Sequence, residues 1–182
     1  MTEPNDDEVL AATLSLLFNS KEFGRCWWDV RFDRLLAHLP TTDDLSLITL
    51  KGHLLVEEIL GDLLLAKCKD QEPLRNLDLG FYKKLALVRA LYADRLNDEI
   101  VLPTRTWECV EALNALRNEF AHKLESKAVD TKLERFISLA FDQVKKPAIL
   151  LSKAQELRMA IESLHAFLAS FEFAAKREAN RK

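Results

Sequence analysis

The chain has 182 residues, 48% hydrophobic and 30% charged, with 26 Lys and Arg against 29 Asp and Glu. That profile excludes wholesale disorder and most simply makes one domain over residues 1–182, long enough to bury roughly two-thirds of its unfolded surface. A net charge of −3 excludes a general nucleic-acid binder, which carries a strongly basic balance, but not an enzyme that grips one RNA locally.

Only four Gly and five Pro interrupt the chain, so an all-α fold is expected. Asn5 to Asp7 cap a first helix to about Phe18, and Arg25 to Leu39 forms a second, rich in aromatic residues and stopped by Pro40. These form an N-terminal extension, 1–40, to a core of about 42–180. Thr41 to Asp44 open a helix to about Lys69 whose apolar residues fall on several sides, which places it in the middle of a bundle. "DQEPLRNLDLG" breaks it, Phe81 to Tyr92 resumes helix, and "RLNDEIVLPTR" is a loop. Trp107 to Leu124 is helical again, Asp130 caps a short helix to Phe141, and Pro147 opens the last helix, to about Arg177. The basic tail "KREANRK" is expected to fray.

Three cysteines, Cys26, Cys68 and Cys109, are an odd number without metal-ligand spacing, as expected of reduced thiols in a cytoplasmic protein. The acidic N-terminus lacks the basic region of a signal peptide. Leu54 to Ala66, the most apolar run, holds Glu57, Glu58 and Asp62 and is too short to span a bilayer, so no membrane partner is expected.

The stretch "ALNALRNEFAHKLE", residues 112–125, carries an Arg, four residues and a His. At about 100° per residue Leu113, Leu116, Phe120 and Leu124 form a core stripe. Asn118 and His122 lie opposite it, one turn apart, Glu111 and Ala115 share their face, and Arg117 stands near the stripe's border. Ala115 and Ala121 keep that face thin, which invites close packing of a second helix. Glu119 projects elsewhere. By chance this Arg–His spacing occurs about once in such a chain, so its weight comes from context.

That context resembles the HEPN superfamily, whose nucleases carry an Arg, four to six residues and a His, with a polar residue after the Arg. Asn118 fills that place. Upstream, "FYKKLALVRAL" (81–91) before "LNALRNEFAH" (113–122), and "LKGHLLVEEIL" (50–60), are similar to segments of HEPN-like families. The resemblance covers about Thr42 to Glu125. It implies an antiparallel helical bundle with additional N- and C-terminal helices, and a homodimer that cleaves RNA without metal or cofactor at Arg117, Asn118 and His122. It implies further a toxin or defence effector, restrained by an antitoxin or other regulatory partner protein. Mannitol-repressor-like regulators share the layout, so the alternative is a non-catalytic dimer acting through protein contacts.

The chemistry fits a dimer. Metal-free RNA cleavage needs a base for the ribose 2′-OH, an acid for the leaving 5′-oxygen and a donor for the phosphorane charge. One chain offers a single motif His, whereas motif helices meeting across a two-fold axis offer two His122 and two Arg117. Arg117 suits a phosphate, and Asn118 would fix the imidazole or contact the sugar.

His53 and Glu57, at i and i+4, fall by angle on an apolar side of the central helix. A buried Glu57 needs a partner. Either it holds Arg117 from behind, or it pairs with His53 within the core. "HLLVE" has no third metal ligand at helical spacing. Trp27, Trp28 and Phe32 are read as core or interface anchors before a base-stacking platform, His38 as exposed, and His165 as a packing histidine.

Overall fold

A computed structural model describes residues 25–96, 100–122, 127–142 and 150–180, excluding the side chains of 25–29 and 127. The described residues form helices α1 (Arg25–His38), α2 (Leu45–Lys67), α3 (Glu72–Arg75), α4 (Phe81–Tyr92), α5 (Thr106–His122), α6 (Lys127–Phe141) and α7 (Lys153–Ala179). The fold is all-α. The one extended pairing among these residues is a bridge between Arg95 and Val101 that closes the α4–α5 loop.

Local chemistry sets the boundaries. Asp44 N-caps α2, accepting from the backbone N–H groups of Ser46 and Leu47. Expectation and structure differ at α7, which Ser152 starts through a capping box with Gln155. Pro147 lies outside the described residues, as does the first predicted helix. Asp130 caps nothing, because α6 already begins at Lys127 and Asp130 falls in its first turn. "EPLR" forms a one-turn helix inside the predicted break, with Pro73 in its first turn.

The helices share one continuous core drawn from α1, α2 and α4 to α7. α7 shares its middle with α2: every residue from Met159 to Ala166 is buried, and α2 packs against α4, α5 and α7. Gly52 lets α2 lie flush on α7, since a Cβ there would stand 2.6 Å from Ile161 Cδ1 and 2.8 Å from its Cγ2. The opposite side of α2 is uncovered, with Leu50 and Leu54 40% and 50% exposed.

Paired contacts give the directions. Gly52 meets Ile161 and Asp62 meets Lys176, so α2 and α7 run the same way. His53–Phe81, Glu57–Lys84 and Leu63–Tyr92 advance together, so α4 also runs with α2. α5 returns against α4, with Trp107 Nε1 donating to Ala93 O and Arg89 pairing with Glu111. In this all-α bundle α2, α4 and α7 thus share one direction and α5 runs against them. The segment from Cys68 to Gly80 carries the chain back along α2 and allows α4 to repeat its direction.

Arg31 of α1 is 7% exposed and bonds Glu58 at 3.1 Å, Glu172 at 2.7 Å and also Asp62. Lys176 reaches Asp62 at 2.8 Å and Glu172 at 2.6 Å. Lys176, in the tail expected to fray, is thus tied into the bundle. Mutual pairing makes burial of these charges tolerable.

Candidate active site

The motif helix α5 buries Leu113 and Leu116 completely, and Phe120 packs against the core at partial exposure. Leu124 and Glu125 lie outside the described residues. Glu119 is buried on the side facing α6, where Lys132 pairs with it. The polar face divides into two halves. Toward the N-terminus, Glu111 is held by Arg89 of α4 and Asn114 by His53 of α2. Toward the C-terminus, Arg117 and Asn118 are half-buried and Ala121 and His122 exposed. Arg117 Nη1 donates to Asn118 Oδ1 at 3.2 Å.

α4 explains the division. Its first residue, Phe81, stacks on the His53 ring with centroids 4.1 Å apart. From there α4 runs toward the other end of α2, and Arg89 in its last turn reaches Glu111 of α5. Among the described residues nothing covers the polar side of the helix end, where Ala121 and His122 are exposed and Asn118, one turn back, is half-buried.

His53 is 4% exposed, and its Nε2 donates to Asn114 Oδ1 at 3.1 Å. Its Nδ1 has no hydrogen-bond partner. Burial holds this imidazole below its ordinary pKa; the charges of Arg117 and Lys84 push the same way, and Asn114 and Glu57 offset only part. His53 is therefore neutral at pH 7, and both cations lie close enough to bear on it.

Glu57 differs from both expectations. It is half-buried rather than core, and its partner is Lys84 of α4, Nζ to Oε1 2.8 Å, rather than Arg117 or His53. The angular reading erred because it placed Leu50 and Glu57 on a covered side, whereas that stripe of α2 is the uncovered one. Lys84 is the neighbour that sequence reasoning missed, whereas Asn114 falls by angle at the border of the motif face and only its bond to His53 was not foreseen. The sign available was an amide at i−3 from Arg117 and a lysine one turn into the preceding helix.

His38 is exposed and His165 buried, as their positions implied, and Phe32 is half-buried. The side chains of Trp27 and Trp28 lie outside the described residues. Cys109 is fully buried and its thiol is pushed up to about 12, an inert packing cysteine. Among the described residues no three His, Cys, Asp or Glu side chains gather as metal ligands, and no helix is long and apolar enough to cross a membrane. The site thus offers a guanidinium, an amide and an exposed imidazole within two turns of one helix.

No family model matches the chain, and no curated protein or solved structure is significantly similar to it.

Proposed function

We propose that the protein is a metal-independent endoribonuclease of the HEPN type, acting as a homodimer on RNA in the cytoplasm as a toxin or defence effector. The observation that carries this reading is the open last turn of α5. There Arg117 and Asn118 are joined by a hydrogen bond, and His122 stands exposed where a second copy of the same turn can meet it. In the dimer one His122 removes the 2′-OH proton and the other protonates the departing 5′-oxygen. The Arg117 pair balances the charge that grows on phosphorus, leaving a 2′,3′-cyclic phosphate. A partner protein that covers α5, an antitoxin for instance, would silence it.

The test is incubation of purified protein with total RNA and with tRNA in chelator, followed by end-group analysis. Wild type is expected to yield 2′,3′-cyclic phosphate ends. His122→Ala should lose cleavage while keeping its helicity and dimer. Unchanged cleavage by that variant removes His122 from the mechanism.

The uncovered Leu50 and Leu54 favour a second reading, a non-catalytic regulator that binds protein through α2. Growth separates the two. Expression toxic for wild type and harmless for His122→Ala supports the nuclease, and equal tolerance of both supports the regulator.

A further inference from the structure

We infer that Lys84 is a second phosphate contact, taking the RNA phosphodiester next to the one at Arg117, and that Glu57 is the carboxylate it gives up on binding. This rests on the RNA-cleaving reading and adds to it a substrate path across α4 that the motif does not contain.

The path is built around His53. Its ring lies on Phe81 of α4, and its Nε2 bonds Asn114, one turn before Arg117 and Asn118 on α5. The start of α4 and the open turn of α5 are therefore joined through one buried side chain. Lys84 lies one turn along α4 from Phe81, with its ammonium on Glu57 at 2.8 Å. The Lys84 and Glu57 side chains keep 24% and 22% of their surface, so an incoming anion can reach the ammonium and displace the carboxylate. With Arg117 the cluster holds two cations against one carboxylate. A phosphate restores the balance when Glu57 swings away.

One further observation favours an anion of any kind, and a second favours a nucleic-acid strand over an acidic peptide. The first turn of α4 contains no acidic residue, and Gly80 gives it no side-chain cap, so its unpaired backbone N–H groups add positive potential beside Lys84. Tyr82, in the same turn, is 73% exposed and offers a ring on which an unpaired base stacks. His53 meanwhile keeps a buried Nδ1 acceptor with no partner. Being buried, it lies out of reach of a strand, and His53 serves here to join α4 to α5.

The experiment uses the full chain carrying His122→Ala, so that RNA survives, and a short single-stranded RNA of mixed sequence titrated at several salt concentrations. Lys84→Met should weaken binding about 5- to 10-fold near 0.1 M salt and lower the log–log salt slope by about 0.7, one strand phosphate. Glu57→Gln, which frees the ammonium, should tighten binding about 2- to 5-fold. Lys84→Arg should retain it, which guards against a misfolded Met variant. Opposite signs for the two partners are the signature. Shifts in the same direction mark a structural pair and overturn the inference, as do unchanged affinities. Polyglutamate bound as tightly as RNA, with the same dependence on Lys84, also overturns it, because the site would then be one for acidic peptide. Opposite shifts without cleavage by the wild type would leave this contact standing and sink the nuclease. Cleavage that needs His122 but ignores Lys84 and Glu57 would do the reverse.

Discussion

His165 is 2% exposed on α7, and burial first, then the charge of Arg31, push its imidazole down to about 3. His53 is lowered too, mainly by burial. Their ordinary value is 6.5, so below that pH the unfolded chain takes up protons that the folded protein refuses. Stability is therefore unaffected by either group above about pH 6.5 and falls as pH drops below it. The slope approaches about 1.4 kcal/mol per pH unit for each fully coupled histidine. Glu172 works the other way: burial raises its carboxyl, so the folded protein gains a proton early and recovers part of the loss. Urea unfolding from pH 7 to 5 should show the decline, and His165→Gln should flatten it whatever its stability at pH 7. A wild-type profile flat over that range, or the same slope in the variant, contradicts this assignment. His122 differs from both in being exposed.

Where α2 crosses α7, the two glycines of α2 behave oppositely. A Cβ at Gly52 would run into the branched body of Ile161 as well as its flexible tip, whereas one at Gly61 meets nothing within 4 Å. Gly52→Ala should destabilise by about 1–3 kcal/mol through overpacking. Gly61→Ala should stabilise by about 0.5–1 kcal/mol, because alanine has less freedom to lose in a helix. Thermal melts of the two variants check this, and a shift in the same direction for both would show that α2 does not press on Ile161. The helices were legible in the chain because their caps and stops are local: Asp44 before α2, Pro40 after α1, and the stripe of Leu113 and Leu116 on α5. The capping box "SKAQ" was equally local and was passed over in favour of Pro147. What periodicity could not carry was which neighbour covers which face. It put α2 in the middle because leucines surround it, and α2 does pack against α4, α5 and α7, but it shares that place with α7 and leaves Leu50 and Leu54 outside. For the same reason Arg117, Asn118 and His122 could be placed together from one helix, while the partner of Glu57 had to come from another.

The molecule joins a stable interior to an open edge. Arg31, Asp62, Glu172 and Lys176 tie α1, α2 and α7 together on one side, and α6 covers the side of α5 that carries Glu119. Among the described residues, Ala121 and His122 at the end of α5 are exposed, as are Leu50 and Leu54 on α2. On the proposed function, a chain with net charge −3 does not hold RNA through its overall field, so the proposed grip rests on local cations, Arg117 and Lys84, and on their doubling in the proposed dimer. In that proposed dimer two imidazoles, one from each copy, would divide the work of acid and base. Mixed dimers test this. Wild-type and His122→Ala chains are co-expressed at varied ratios, and RNA cleavage by the purified dimers is measured against the wild-type fraction. If each site needs both imidazoles, mixed dimers are dead and activity falls as the square of that fraction. A fall in simple proportion, or no cleavage by the pure wild-type dimer, would contradict a site shared between two copies.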